Sequence, residues 1–445
     1  MYEILLEPKD KLDEDMHLIN FKERFLATDT RKRLIENFLS LSVLQIANYI
    51  LPLITFPYLV RVLGPEKFGL IAFSQAFIGY FMILTDYGFN LSATRDISIH
   101  RENKEKVSEI FSSVMIIKLA LMIISLILMS VIILSFEKFR QDWIIYYLTF
   151  GMVVGQVLFP VWFFQGMEKM KYITFLNILS KVIFTVAIFV FIRHTSDYLY
   201  VPLLNSLGAI IAGLLAIWVV FRDFKVGFKM PSFANIKYHL KNGFSLFLSI
   251  ASIPLFNDTN IVVLGIFADN TAVAIYTLAV RIIGVLITLQ SPFVNTIFPW
   301  ASKELKINPI NTIYKLKRTR NLGSIIYFVV LTMIGLLSKW LIPFIFGGTF
   351  KQSIYPFIIM LYVPLIVYIA NIYGNQILIN LGKNNLYSIA LISTGILNLI
   401  LIIPLVVFLK ENGAAISRLV SETFLTFTMY ILTKREIRKI EYSKL

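Results

Sequence analysis

Long apolar runs, separated by short polar segments, repeat along almost the whole chain. A helix that crosses a bilayer needs about 20 mostly apolar residues, and we count twelve runs that can serve as spans. Their approximate bounds are 38–60, 68–92, 110–134, 143–165, 172–192, 199–221, 243–267, 272–299, 322–337, 354–380, 386–409 and 413–433. The pattern predicts an all-α integral membrane protein with about 12 transmembrane helices. Residues 1–37 are polar, so we expect an uncleaved first span rather than a signal peptide.

Lys and Arg are distributed unevenly between alternate loops. If the N-terminus is cytoplasmic, 30 of these residues fall in loops and tails on that side, and 8 fall on the other side. Cytoplasmic loops of membrane proteins carry an excess of basic residues. We therefore expect an even number of spans with both termini in the cytoplasm.

The polar segment at 222–242 predicts that the chain is divided in two. Leu63-Gly64 ends the first run and Leu264-Gly265 ends the seventh, an offset of 201 residues. A proline lies inside both runs, and prolines interrupt helices at matching places in many transporters. We predict a cytoplasmic N-terminal extension (1–37), an N-terminal six-helix lobe (38–221), a cytoplasmic linker (222–242), a C-terminal six-helix lobe (243–433) and a cytoplasmic tail (434–445).

Composition excludes several classes of protein. Hydrophobic residues make up 57% of the chain and charged residues 16%, whereas a soluble domain is about 25% charged. This excludes an ordinary soluble enzyme, a disordered chain and a nucleic-acid-binding domain, so we attribute the net charge of +15 to the cytoplasmic side of a membrane. There is no cysteine, the four histidines form no zinc motif, and no phosphate-binding loop occurs. We therefore expect no metal, no cofactor and no nucleotide hydrolysis.

Seven charged residues fall inside the apolar runs, where a charge at mid-bilayer costs roughly 2.5–3.5 kcal/mol. Such residues face a partner or a wet cavity, so all seven are candidate substrate-binding charges. Four are basic and three acidic, and an arginine suits a phosphate because its planar fork donates two parallel hydrogen bonds. The seven are Asp86, Lys118, Lys181, Asp258, Arg281, Arg418 and Glu422.

Sequence spacing suggests partners for the charges of the C-terminal lobe. Asp258 and Arg281 each lie nine residues from the outer ends of consecutive antiparallel spans, so they share a depth and can meet. They form either a structural ion pair or a polar patch in which Arg281 meets an anionic group. Arg418 and Glu422 are four residues apart on one helix face and can pair, or Arg418 can snorkel to the interface.

The charges of the N-terminal lobe receive a different interpretation. Lys118 and Lys181 lie eight or nine residues inside their spans and have no local partner, so we expect both to face a cavity. Because they lie in the inner halves of their spans, we assign them to an inward-open state, and we assign the two arginines to an outward-open state. Asp86 either contacts substrate or pairs with Arg95.

Two motifs resemble those of a known family. Residues 57–69 read Pro-Tyr-Leu-Val-Arg-Val-Leu-Gly-Pro-Glu-Lys-Phe-Gly, and residues 86–89 read Asp-Tyr-Gly-Phe, followed by Ala-Thr-Arg. Together they resemble signatures of bacterial polysaccharide (O-antigen) flippases of the Wzx type, members of the exporter superfamily (MOP) that includes multidrug MATE exporters and lipid II flippases. Residues 165–166 and 412–422 resemble the family more weakly. The motif positions are Arg61, Gly64, Gly69, Gly88 and Arg95.

The resemblance implies a MATE-like fold and a flippase. Its substrate would be a polyprenyl-diphosphate-linked oligosaccharide, such as the O-antigen repeat unit of a lipopolysaccharide or a related polysaccharide unit. It would move from the inner to the outer leaflet of the bacterial cytoplasmic (inner) membrane by alternating access. The partners implied are this glycan, membrane lipids and the polysaccharide polymerase machinery, with no nucleic acid. Ion or proton coupling through Asp258 or Glu422 stays open.

Two alternatives stay open. A drug or cation exporter of the same superfamily is expected to keep mainly acidic residues in its cavity. A membrane-embedded polysaccharide polymerase or acyltransferase is expected to need a sizeable external loop or a catalytic His/Asp set, and the predicted outer loops are short.

Overall fold

The computed structural model describes the backbone of residues 9–442. Side chains are described over the same range except at residues 9–35, 38, 41, 46, 49, 50, 53, 245, 248–257, 441 and 442. The ends of the predicted extension and tail, residues 1–8 and 443–445, lie outside the described residues. Within residues 9–442 the chain is helical and contains no β-strand, as expected where a bilayer leaves every backbone polar group to be satisfied inside its own segment.

The N-terminal half of the chain, defined here as residues 9–223, contains eight α-helices. A 3₁₀ turn at Thr195–Leu199 precedes the last of them. They are α1 (Lys9–Asp86), α2 (Phe89–His100), α3 (Lys104–Ser135), α4 (Glu137–Gln141), α5 (Trp143–Leu158), α6 (Val161–Gly166), α7 (Met170–Phe191) and α8 (Tyr200–Asp223).

The C-terminal half, defined as residues 233–442, contains eight further α-helices. A 3₁₀ segment (Gly348–Ser353) and a π-helical segment (Ile372–Ile379) complete it. The helices are α9 (Phe233–Asn257), α10 (Thr259–Phe267), α11 (Asn270–Thr288), α12 (Ser291–Ile307), α13 (Pro309–Phe346), α14 (Ile354–Ile359), α15 (Val363–Asn371) and α16 (Asn384–Tyr442).

Within the part of the chain that the structure describes, nine helical segments are long and apolar enough to cross a membrane. Two of them are interrupted, because Gly64 in α1 has a φ of 69° and Lys410 in α16 has a φ of 47°, outside the α-helical region. Large apolar side chains such as Leu336, Phe344 and Phe408 are exposed on the surface. A surface this apolar fits lipid rather than water, so the protein is a multi-pass membrane protein.

The two halves pack closely where the second part of α1 meets the start of α11. A Cβ atom on Gly69 would lie 1.7 Å from the backbone oxygen of Asn270. A Cβ atom on Gly265, in α10, would lie 2.1 Å from the ring of Phe73. Only glycine leaves room for a neighbouring backbone at the first position and for an aromatic ring at the second. We call these two pairs the glycine contact.

Two basic side chains reinforce the glycine contact from the N-terminal half. The ammonium of Lys138 donates a hydrogen bond to the backbone oxygen of Ala268, at 2.6 Å, and the guanidinium of Arg61 donates to the backbone oxygen of Phe344. Both acceptors lie at helix C-termini, whose carbonyl groups attract cations. The halves are therefore closed at the Gly69 end.

At the opposite end, which we call the Gly88 end, α9 joins the N-terminal half. Gly88 has a φ of 75°, and a Cβ atom there would lie 2.9 Å from a side-chain atom of α9. The ring of Tyr87 stacks on that of Phe247 with centroids 5.2 Å apart. Nδ1 of His239 lies 3.6 Å from Oδ2 of Asp96, and both side chains are buried. Helix α9 is thus held against α2 and the end of α1.

The segment between α8 and α9 docks on α3. The backbone N–H of Gly227 donates to Oγ of Ser108 at 3.0 Å, and that of Lys229 donates to Oγ of Ser112 at 2.9 Å. These bonds fasten the connection between the two halves to the N-terminal half.

Candidate functional site

A cavity of about 220 Å³ lies beside the glycine contact. The N-terminal half supplies its lining except for Arg281 of the C-terminal half, and we call it the cavity between the halves. Helices α1, α7, α8 and α11 supply its walls, which are largely apolar. Among the described residues that line it, two are basic and none is a carboxylate. Its polar lining consists of Thr55, Gln75, Lys181, Thr185, Asn205 and Arg281.

Arg281 brings a cation from the C-terminal half into this cavity. Its guanidinium carbon lies 5.1 Å from the ring centroid of Phe56, a cation–π arrangement, and its side chain is exposed within the cavity. Of the two alternatives for Asp258 and Arg281, the ion pair is not found, since no ion pair joins these two described side chains; the role of Arg281 toward an anionic group stays a prediction. Sequence depth places both at one level, but Arg281 faces α1, while Asp258 stands at the break between α9 and α10 and interacts with Arg418.

Lys181 reaches the same cavity from the N-terminal half. It lies on α7, is half-buried, and donates a hydrogen bond from Nζ to Oδ1 of Asn48 at 2.5 Å. The structure thus brings Lys181 and Arg281 into one cavity, as lining groups from opposite halves of the chain.

Lys118 does not face a cavity, and its predicted cavity role is wrong. Only 1% of the side chain is exposed, and its Nζ lies 4.0 Å from Oδ1 of Asp86. Asn90 also donates to this Asp86 oxygen, at 2.7 Å. Of the two alternatives for Asp86, the pair with Arg95 is not formed, because Arg95 turns outward and contacts Asp96 at 3.3 Å. The Lys118–Asp86 pair is structural, since it lies inside the helix packing of the N-terminal half.

The charges of α16 lie around a second cavity, of about 260 Å³, within the C-terminal half. Arg418 and Glu422 both line it and are buried, so Arg418 does not snorkel to the interface. Arg418 is close enough to Asp258 and Glu422 to interact electrostatically with both, but no ion pair within 4 Å joins these described side chains. The Nε of Arg418 is buried without a hydrogen-bond partner.

A buried polar network beside these charges was not anticipated from the sequence. Asn398 donates to Oδ1 of Asn260 at 2.9 Å and accepts from Ser417 and Ser421 at 2.8 and 3.2 Å. Asn260 in turn donates to the hydroxyl of Tyr276 at 3.2 Å. All five side chains are fully buried. A lone asparagine within the apolar run 386–409 is the signal that could have pointed to this network, because an unpaired buried amide is costly.

The family-motif residues serve mainly to bring the two halves together. Gly69 belongs to the glycine contact, Arg61 bonds to α13, and Gly88 allows α9 to approach. Gly64 forms the turn between the two parts of α1. Arg95 is exposed, and its described ion pair is with its neighbour in sequence, Asp96. The motif residues thus contribute to the contacts between the halves, whereas Lys181 and Arg281 line the cavity.

Comparison with known proteins agrees with this architecture. A family model described as polysaccharide biosynthesis protein matches residues 34–305. A protein of Escherichia coli (strain K12) named as an O-antigen transporter is 32% identical over 400 residues, which cover 89% of this chain and 96% of that protein.

Two solved structures share the fold. An inward-facing multidrug resistance MATE transporter of the MOP superfamily has a TM-score of 0.68 at 14% identity, covering 92% of this chain and 100% of that one. The lipid II flippase MurJ in an inward closed conformation has a TM-score of 0.68 at 16% identity, covering 88% of this chain and 87% of that one. The MATE-like fold and the family resemblance predicted from the motifs are confirmed. The chain belongs to the polysaccharide biosynthesis protein family.

Proposed function

We propose that the protein is a flippase that moves a polyprenyl-diphosphate-linked oligosaccharide, an O-antigen or related polysaccharide repeat unit, from the inner to the outer leaflet of the bacterial inner membrane. The observation that carries the proposal is the cavity between the halves. It presents Lys181 and Arg281 together, with no carboxylate among the described residues that line it. The diphosphate carries the substrate's negative charge, and a charge at the bilayer centre is costly unless it meets a partner.

The cavity size indicates which part of the substrate it holds. Its volume of about 220 Å³ is below the roughly 300–1,000 Å³ of pockets that enclose drug-sized ligands. It therefore suits the diphosphate rather than a whole oligosaccharide, which would extend toward the Gly88 end.

Alternating access follows if the two halves act as lobes. The predicted lobes, 38–221 and 243–433, are joined by the linker at 222–242, and the glycine contact closes the Gly69 end in this state. If the Gly88 end is cytoplasmic, the glycine contact closes the outer side of the protein. Substrate would load from the inner leaflet, the Gly88 end would close around it, and separation at Gly69 would release it outward.

For this transport cycle we propose twelve spans, with both termini in the cytoplasm. The structure offers nine apolar segments in its described part. Division of two of them at Gly64 and Lys410, together with α9–α10 as a further span, gives the twelve we propose. The 30-to-8 distribution of Lys and Arg supports the orientation.

The two alternatives have less support. A drug or cation exporter should present acids to its substrate, whereas the cavity between the halves is lined by two bases. The relative from E. coli is named as a transporter, which favours transport over polymerase or acyltransferase chemistry. Coupling to protons or ions through Asp258 or Glu422 is a further part of the proposal, because both lie beside Arg418 in the C-terminal half.

Deletion of the gene tests the proposal in cells. We expect the lipid-linked glycan to accumulate on the inner leaflet and surface polysaccharide to be lost. Normal delivery to the outer leaflet in the deletion strain would refute the proposal, and a change in drug susceptibility with intact glycan export would favour the exporter alternative.

Complementation then tests the site. Arg281→Ala should restore protein abundance but not export, and Arg281→Lys should restore export only partly because lysine lacks the bidentate fork. Arg318→Ala is the matched control, since Arg318 is exposed and outside the cavity. Equal export by Arg281→Ala and the control would remove Arg281 from the site.

A further inference from the structure

A second basic site shares no lining residue with the cavity between the halves. A pocket of about 180 Å³ opens between α13, the π-helical segment and the end of α16. We call it the basic pocket, and its lining consists of Lys317, Tyr373, Tyr430, Lys434, Ile437 and Arg438.

The cations of the basic pocket lack acidic partners. Neither Lys317, Lys434 nor Arg438 forms an ion pair with a described side chain, and no carboxylate lines the pocket. The nearby Glu436 is already engaged, since its two oxygens lie 3.1 Å from Lys383 and 2.5 Å from Lys439. Three cations therefore share a small pocket with no counter-charge, which favours an anionic ligand.

Tyr373 provides a hydrogen-bond donor inside the basic pocket. Its side chain is only 4% exposed, and the guanidinium of Arg320 donates a hydrogen bond to its hydroxyl oxygen. Because this oxygen accepts from a cation, its own proton needs an acceptor, and no described residue supplies one. A buried donor without a partner is costly, and an anion in the pocket would satisfy it.

The depth of the basic pocket matches a lipid headgroup. Measured from the break at Lys410, a helical rise of 1.5 Å per residue places Tyr430 about 30 Å along α16 and Arg438 about 42 Å. The hydrocarbon core is about 30 Å thick and the headgroup layers extend beyond it. If the break at Lys410 marks one boundary of the core, Tyr430 lies at the other boundary and Arg438 among the headgroups. On the same helix, Phe427 and Ile431 are exposed apolar side chains that can pack against an acyl chain.

We propose that the basic pocket binds the phosphate of an anionic phospholipid. Lys317, Lys434 and Arg438 supply the positive charge, Tyr373 donates a hydrogen bond, and the exposed apolar face of α16 receives a chain. The binding is separate from glycan transport, because the pocket shares no lining residue with the cavity that holds Arg281.

Native mass spectrometry of the purified full-length protein tests this proposal. The detergent-solubilised protein is titrated with phosphatidylglycerol or with phosphatidylcholine, and bound lipid is counted. We expect preferential retention of phosphatidylglycerol. The triple variant Lys317→Gln/Lys434→Gln/Arg438→Gln should bind it at least about tenfold more weakly, because each base near a lipid surface contributes on the order of a fewfold in affinity. Tyr373→Phe should bind severalfold more weakly with its thermal stability retained.

The control variant makes the same change in charge elsewhere on the C-terminal half. Lys303→Gln/Lys306→Gln/Arg318→Gln alters three exposed bases outside the basic pocket and should retain phosphatidylglycerol. Equal loss in the two triple variants would overturn the proposal, since it would show general charge attraction. Tighter binding of farnesyl diphosphate than of phosphatidylglycerol, lost in the pocket variant alone, would also overturn it by assigning the pocket to the diphosphate substrate.

Discussion

Replacement of Gly69 by alanine should weaken closure at the Gly69 end. The added Cβ would lie 1.7 Å from the backbone oxygen of Asn270, 2.6 Å from its carbonyl carbon and 3.1 Å from the backbone N of Ala274. All three are backbone atoms of α11, so no side chain can turn aside, and the halves must move apart. The contact exists only while this end is closed, so the strain falls on the closed state alone.

The expected size of the effect follows from the cost of overpacking. Inserting a methyl group into a close-packed contact costs about 1–3 kcal/mol. A cost of that size, borne by one of two states, shifts their equilibrium by roughly fivefold to 150-fold. A state that is open at Gly69 and sparsely populated in the wild type should therefore become readily detectable.

Cysteine accessibility measures this shift, because the natural chain contains no cysteine. Gln75 lines the cavity beside the glycine contact, so Gln75→Cys reports on access from the Gly69 end. A membrane-impermeant maleimide added from the outer side should label Gln75→Cys slowly in the wild-type background and at least about fivefold faster with Gly69→Ala.

Gly79→Ala is the matched control, since it lies on the same helix and a Cβ atom there meets nothing within 4 Å. The control should label as slowly as the wild type. Equal labelling of Gly69→Ala and Gly79→Ala would refute the reasoning, because it would show that the Gly69–Asn270 approach does not hold the halves together.

Three further predictions concern stability. Lys118→Met should lower the free energy of unfolding by about 3–5 kcal/mol because it leaves the buried carboxylate of Asp86 without its partner. Lys118→Met/Asp86→Asn should recover most of this free energy and retain transport. Loss of transport in a stable double variant would contradict the structural role of the pair. Asn398→Ala should cost roughly 2–5 kcal/mol by removing the hub of a buried hydrogen-bond network, and an unchanged melting temperature would show that the network contributes little. At the Gly88 end, burial lowers the pKa of His239 from its ordinary value of 6.5, although Asp96 acts in the opposite direction. The imidazole of His239 therefore takes up a proton at higher pH in the unfolded chain than in the folded one, so its contribution to stability is complete above pH 6.5 and declines as pH falls toward the folded-state pKa. His239→Gln should reduce the acid-induced loss in melting temperature between pH 7.5 and 5.5. A pH profile identical to that of the wild type would contradict this assignment.

The sequence was sufficient for the class of fold but not for the contacts of its buried charges. Apolar run lengths and the motif around Gly64 led to the helical membrane fold and the family, because both depend on local composition. The position of a charged residue within its apolar run also gives its depth in the membrane, but not the direction in which its side chain points. Asp258 and Arg281 share a depth without forming an ion pair, and Lys118 finds Asp86 across a helix contact that sequence spacing does not encode.

The polar network around Asn398 shows a second limit. Its members carry no charge, so a search for costly charges passes over them, and their pairing depends on how α10, α11 and α16 pack. The two bases of the cavity between the halves are charged, so a search for buried charges does find them. Lys181 and Arg281 could be identified as candidates from depth and charge, while their meeting in one cavity became visible only in the folded chain.

Flipping by the purified protein in proteoliposomes tests the central claim most directly. A polyprenyl-diphosphate-linked oligosaccharide is placed in one leaflet, and its arrival in the other is followed with a sugar-cleaving enzyme that cannot cross the membrane. We predict that the wild type and Arg318→Ala accelerate arrival over protein-free vesicles, and that Arg281→Ala does not. Arrival at the protein-free rate with the wild type, or at the wild-type rate with Arg281→Ala, would contradict the assignment of the cavity between the halves as the route of the diphosphate.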